Sequence, residues 1–213
     1  MGEARGVASL PGAEDQPEEV DGRRLRRDRN RDAVLESLID LIEGGELDPT
    51  VAEIAERSSV SLRSVFRYFD DRDGLLEEAT ELAFRRYAPL SVIHNFGVGS
   101  LHERIDAITD QRLSIFPAIG PIVRAARLRG SRDPAVVDAV NRLLGPLHDQ
   151  VAHQFEPELE RCGSDREPVG AGLDLLLSLE TFELLTETQG RSSDEVRRVY
   201  RVTIESLLAP GRV

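Results

Sequence analysis

The sequence contains no lysine; all 27 of its basic residues are arginine. Arginine codons tolerate high GC content and lysine codons do not, so this feature points first to a GC-rich genome and only then to function. A single cysteine, Cys162, excludes an intramolecular disulfide and supplies no metal cluster. Long apolar runs are missing as well, and no stretch approaches the roughly 18 uninterrupted apolar residues of a membrane span. The first residues are acidic and lack an apolar core, so a secretory signal is not expected. Together these absences predict a cytoplasmic protein without membrane, metal or cofactor.

What is present is a chain of 213 residues, 40% hydrophobic and 31% charged, the balance of a globular rather than a disordered protein. Its formal net charge of -12 at first argues against nucleic acid, because phosphates demand positive charge. Net charge describes the whole surface, however, and DNA meets one face, so the distribution decides.

Residues 1–22 carry Gly, Pro and acidic side chains without apolar periodicity and are expected to form a disordered tail. Arg23, Arg24, Arg26, Arg27, Arg29 and Arg31 then crowd together, and a helical apolar stripe follows through Val34, Leu35, Leu38, Ile39, Leu41 and Ile42 until Gly44 and Gly45 stop it. Thr50 with Glu53 matches a capping box and opens a second helix. Ser61 can cap a third helix to about Phe69, and Asp71 a fourth carrying Leu75, Leu76, Ala79 and Leu82. Beyond Tyr87 the helices lengthen. A helix at 101–116 is expected to break or kink at Pro117, Gly120 and Pro121, with a short helix at 122–128 after it. Asp133-Pro134 starts another, with a kink at Gly145-Pro146. Residues 157–168 read as a polar loop, and two last helices cover about 169–187 and 193–208. No alternating strand pattern survives, so the expected fold is all-α: a helix-turn-helix DNA-binding domain at 23–87 and a larger helical ligand-binding and dimerisation domain at 88–213.

Val51 to Asp70 has the spacing that two crossed helices need. Ala55 is small where the second helix passes over the first, and Ile54, Val60 and Val65 are apolar where the pair packs into the domain. The exposed side of the second helix is left free to enter a major groove.

The run Thr50-Val51-Ala52-Glu53-Ile54-Ala55-Glu56-Arg57, then Val60-Ser61, then Val65-Phe66-Arg67-Tyr68-Phe69, then Arg72-Asp73-Gly74-Leu75-Leu76 resembles the N-terminal signature of the TetR family. The likeness covers about residues 27–85; the larger C-terminal part agrees in helix content alone. It implies a homodimer that binds a palindromic double-stranded DNA operator and releases it when a small-molecule effector binds. Ser59 departs from the glycine frequent in the family's turn, which implies local strain. Phe66 stands for a common tyrosine, Tyr68 for a frequent histidine, and Arg72 for the usual lysine.

Roles follow from this placement. Thr50 and the start of its helix are expected to meet a phosphate, and Tyr68 and Arg72 to hold the DNA backbone. Ser61, Leu62, Arg63 and Ser64 lie where base edges are reached, and Arg63 is the candidate for a bidentate guanine contact. Arg67 lies one turn on, facing a base or a phosphate. Arg26 and Arg27, within the arginine cluster, are expected to follow the backbone or enter the minor groove.

Residues 173–185 are too apolar for a helix with one buried stripe, so burial on two sides is expected, one of them a partner subunit. Leu176, Leu179 and Phe182, with Tyr200, Ile204 and Leu207 of the last helix, are the expected dimer residues of a four-helix bundle. A ligand cavity is expected among 101–155, lined by Phe116, Ile119, Ile122, Val123, Leu147 and Phe155, with Arg124, Arg127 or His148 as polar contacts. Catalysis finds little support, since His148 and His153 do not share a helix face and no phosphate loop follows a strand. An activator, an effector-independent regulator, or an all-helical interaction protein without operator binding are the alternatives.

Overall fold

The structure is a computed structural model that describes residues 17–130 and 134–209. Among these residues every regular element is helical: α1 (Pro17–Glu43), α2 (Val51–Ser58), α3 (Leu62–Tyr68), α4 (Arg72–Tyr87), α5 (Leu101–Gly130), α6 (Pro134–Gln154), α7 (Glu156–Arg161), α8 (Arg166–Leu176), α9 (Leu179–Glu183) and α10 (Ser193–Leu207). Short 3-10 turns at Ala88–Ser91 and Gly163–Asp165 and a π-helical turn at Leu184–Thr188 join them. The all-α expectation stands. Residues 1–16 of the expected tail lie outside the described residues, whereas 17–22 form the first turns of α1.

The first four helices close around their own core. Val34, Leu35, Leu38, Ile39 and Ile42 of α1 meet Ile54, Ala55, Val60, Val65, Phe69, Leu75, Ala79 and Ala83, all buried. The caps are local and strong. Thr50 and Glu53 form the full capping box, Ser61 Oγ accepts from the Ser64 amide at 3.3 Å, and an Asp71 carboxylate oxygen accepts from the Gly74 amide at 2.8 Å. Each satisfies amides that a helix start otherwise leaves bare, typically stabilising by about 1 kcal/mol. At the turn, Ser59 takes a left-handed conformation with φ 56°, which costs a residue with a Cβ about 1–2 kcal/mol.

The second core lies among α5 to α10, with Ile105, Ile108, Phe116, Ile119, Val123, Leu147, Phe155, Leu173, Val196, Tyr200 and Ile204 at its centre. Here the chain departs from the sequence reading in three places. Firstly, α5 runs unbroken through Pro117 and Pro121, so 122–128 is no separate helix; α6, expected as one helix, likewise continues through Pro146. Pro117 and Pro146 are exposed and Pro121 is half-buried, so the lost backbone bonds fall on faces that water reaches. Secondly, α7 and a 3-10 turn occupy most of the expected loop at 157–168. Thirdly, the helix expected over 169–187 divides at Leu177-Ser178. There Ser178 caps α9 by accepting from the Thr181 amide, and the Leu177 carbonyl accepts from Arg112 Nε at 3.1 Å.

Arg112 is the largest wholly buried side chain among the described residues. It also donates to the Leu147 carbonyl at 2.5 Å and to Gln150 Oε1 at 3.0 Å, so one guanidinium ties α5 to α6 and to the α8–α9 break. Burial pulls its pKa down to about 10.

The two cores meet on α5. Phe116, Ile119 and Val123 belong to the larger one, while Ile122 and Ala125 of the same helix are buried in the smaller. Tyr87, at the end of α4, packs against both.

Candidate nucleic-acid interface

The exposed side of α3 and the start of α1 carry the basic groups that the total charge conceals. Between Ser61 and Phe69 there is no acidic residue. Arg63 is exposed and makes no ion pair among the described residues. Arg67, also exposed, lies over the Tyr68 ring at 5.3 Å and donates to its hydroxyl at 3.4 Å. Two apolar side chains share the same surface: Leu62 is 44% exposed and Phe66 58%. Separated by one helical turn, they stand side by side next to the pair Arg63 and Arg67. The outward face of α3 is therefore one basic stripe and one apolar stripe. Exposed apolar residues of this size on a two-turn helix gain nothing from packing in the protomer.

Sequence reasoning placed several further groups here. Thr50 is exposed at the start of α2, but its hydroxyl donates to Glu53 Oε2 at 2.7 Å and accepts from the Glu53 amide at 3.2 Å. The Thr50 hydrogen bonds hold the Glu53 carboxyl below its usual range. Ser61 and Ser64 are paired through their hydroxyls at 2.9 Å. Tyr68 is buried rather than projecting; its hydroxyl accepts from Asn30 at 3.5 Å and from Arg67, and the Asn30 bond leads in lowering its pKa. Arg72 turns back to Asp48 Oδ1 at 2.8 Å and the Pro49 carbonyl at 2.5 Å, bracing the loop before α2. Arg24, Arg26, Arg27 and Arg29 are exposed along α1, whereas Arg31 is half-buried, paired with Glu78 and stacked over Phe69 at 5.1 Å. The side chain of Arg23 lies outside the described residues. Sequence reasoning missed the exposed Phe66 and the support of Tyr68 by Asn30. The four-residue spacing of Leu62 and Phe66 was the available signal for the first.

The larger domain distributes its candidates differently. Phe116, Ile119, Val123, Leu147 and Phe155 are packed in the larger core, and Ile122 in the smaller. Arg127 pairs with Glu180 at the protein surface, and Arg124 with Glu183 at 2.7 Å in a half-buried pair. His148 alone of that set lines an open cleft, its Nδ1 2.6 Å from Asp174 Oδ1. Of the residues expected at a subunit interface, Leu179, Phe182, Tyr200 and Ile204 are buried inside the protomer, and Leu176 and Leu207 are half-buried against its core. The exposed apolar groups of the same segment are Leu175, 69% exposed, Leu184 and Val202.

Comparisons agree with this geometry. The sequence model of the family described as bacterial regulatory proteins, tetR family, matches residues 41–79, from the end of α1 into α4. The HTH-type transcriptional regulator BetI of Escherichia coli O17:K52:H18 (strain UMN026 / ExPEC) is 36% identical over 88 residues, which are 40% of this chain and 44% of that protein. The chain thus matches less than half the length of that relative. Among solved structures, a protein from Saccharomonospora viridis in complex with choline superposes with a TM-score of 0.65 at 19% identity, over 84% of this chain and 96% of its own. A transcriptional regulator from Rhodococcus sp. Rha1 gives 0.64 at 17% identity, over 86% and 98%. At these identities the structures show a shared fold, while the sequence match falls on the two crossed helices and their supports. The tetR-family pattern thus falls on residues 41–79, the helices of the N-terminal unit, and the chain shares the fold of these solved regulators.

Proposed function

We propose that the protein is a DNA-binding transcriptional regulator, a repressor that grips a palindromic operator as a homodimer and lets go when a small effector binds. The observation that carries the reading is the outward face of α3: Arg63 unpaired, Arg67 held only by its neighbour, and Leu62 and Phe66 exposed, with no carboxylate in the segment. A helix with that surface fits a major groove. Arg26 and Arg27 of α1 extend the basic footprint toward the flanking backbone, and Arg72, released from Asp48, supplies a further phosphate contact.

The dimer surface of this reading is the exposed apolar set Leu175, Leu184 and Val202, with the outer edges of Leu176 and Leu207. Tyr200 and Ile204 then act from within, by fixing α10 to α5. Effector control draws on two observations. The fold is shared with a protein solved with choline bound. In addition, α5 inserts Ile122 and Ala125 into the core of the reading domain, so a shift in the larger domain moves the helices that aim α3. No helix among the described residues is long and apolar enough to cross a membrane, which accords with a protein working at chromosomal DNA in the cytoplasm.

The test is selection of genomic fragments by the intact protein, followed by titration of the selected fragment against random DNA at several salt concentrations. Preference for one fragment, with affinity falling steeply as salt rises, supports the reading.

A further inference from the structure

Between α6 and α8 lies a cleft of about 620 Å³, closed at one end by α7 and the Gly163–Asp165 turn. That volume suits an organic molecule of drug size. Ala152 and Ala171 line it with exposed apolar carbon over buried Val151 and Leu159, and Gly170, with no side chain, leaves the space between the helices unfilled.

The walls are acidic. Asp149 comes from α6, and Glu167 and Asp174 from α8. The basic groups nearby are already engaged. Arg166 meets both oxygens of Glu156 at 2.7 Å. Arg112 stands behind α6 on the Leu147 and Leu177 carbonyls, and the charge of Asp174 offsets its own. His148 faces Asp174 at 2.6 Å. Asp149 and Glu167 have no basic partner among the described residues. An anion entering here meets uncompensated negative charge, and a neutral molecule gains nothing from it. A cation gains the attraction of two carboxylates, both exposed and moderated by water, at the mouth of an apolar space.

We infer that the cleft takes an organic cation, a positively charged onium or ammonium centre on an apolar body, with Asp149 and Glu167 meeting the charge and Ala152 and Ala171 the body. The inference rests on the reading of the larger domain as the effector domain and names the effector's chemical class. One wall of the cleft, α6, also packs against α4, the helix that follows α3, so occupancy bears on the reading domain through a direct contact.

The test uses tetraphenylphosphonium and tetraphenylborate, which share size and shape and differ in the sign of their charge. In calorimetric titrations of the intact protein, the phosphonium is expected to bind at least about tenfold more tightly than the borate. The double variant Asp149→Asn with Glu167→Gln is expected to lose about tenfold in phosphonium affinity while its thermal unfolding stays that of the parent. Ala152→Trp, which fills the cleft, is expected to abolish binding of the phosphonium. Equal binding of both ions, no binding of the phosphonium, or undiminished binding by the double variant overturns the inference. Operator affinity measured in the same samples separates the two readings. A phosphonium that binds at Asp149 and Glu167 without weakening DNA binding leaves the cation site standing and sinks the effector reading. Loss of operator affinity that persists in the double variant places effector action elsewhere and overturns the cation site.

Discussion

Arg104 of α5 and Glu158 of α7 face each other through two hydrogen bonds, each 2.7 Å long, with both side chains 5% exposed. Arg104 also donates to the Gln154 carbonyl at 2.6 Å, and Arg161 reaches Glu158 Oε1 at 3.1 Å, so the pair clamps the ends of α6 and α7 to the start of α5. Breaking a buried pair from one side leaves the other charge stranded. Glu158→Ala is therefore expected to lower the unfolding free energy by about 3–5 kcal/mol. Urea unfolding followed by circular dichroism measures this, and a loss below about 1 kcal/mol contradicts a clamp of this kind.

The same pair sets an acid sensitivity. Desolvation pushes the Glu158 carboxyl up, but the hydrogen bonds and charge of Arg104, with the Arg161 and backbone hydrogen bonds, outweigh it, and the folded-state pKa lies below the ordinary value. A carboxyl depressed by folding contributes stability that is full above its unfolded pKa and lost as pH falls through the folded one. Melting temperatures of the parent should accordingly fall on acidification below the ordinary carboxylate range. The Glu158→Gln variant should show a shallower fall, and parallel curves for the two proteins rule out this origin.

Ser59 predicts a gain rather than a loss. Its φ of 56° places a side-chain-bearing residue in the left-handed region at the α2–α3 turn, and its amide already reaches the Ala55 and Glu56 carbonyls. Glycine keeps those bonds without the Cβ clash, so Ser59→Gly is expected to stabilise the reading domain by about 1 kcal/mol. A lower melting temperature in the variant contradicts this account of the turn.

Phe66 and Leu62 predict a preference for thymine. An exposed aromatic and an exposed leucine on a groove-facing helix are placed to touch 5-methyl groups, while Arg63 seeks guanine. Replacing the thymines of a selected operator by uracil removes only those methyls. It is expected to weaken binding by the parent severalfold, on the order of 1 kcal/mol, and to weaken binding by Phe66→Ala less, since Leu62 remains. An equal loss in both proteins means that Phe66 does not meet the methyl groups.

The apolar faces of α8 and α10 predict the site of self-association. Leu175 and Val202 are exposed in the protomer, so Leu175→Arg with Val202→Arg should leave the helix content unchanged and convert a dimer to a monomer in sedimentation. Operator affinity should fall with it, because a palindrome needs two readers. A double variant that remains dimeric places the interface elsewhere.

The reading domain was legible in the sequence because its signals are local. Thr50 with Glu53, Ser61 and Asp71 cap helices through residues three positions away, and no distant contact is needed to place them. The larger domain was less legible because its decisive facts are tertiary. Whether Pro117 and Pro121 break a helix depends on whether the freed carbonyls face water, and the division at Ser178 is matched by Arg112, distant in sequence, on the Leu177 carbonyl. Apolarity at Tyr200 and Ile204 announced burial, yet it did not say whether the partner was α5 or a second subunit. The cleft stayed hidden apart from His148, since it forms only where α6 and α8, separate in sequence, pack side by side.

The central claim is that the exposed face of α3 reads DNA, and Arg63 tests it most directly. Affinity of the parent and of Arg63→Ala should be measured for a selected operator and for random DNA of equal length across a range of salt. The variant is expected to lose about 1–3 kcal/mol on the operator and little on random DNA, with helix content unchanged. If the parent prefers no sequence over random DNA, or the variant binds the operator as the parent does, α3 is not the reading helix.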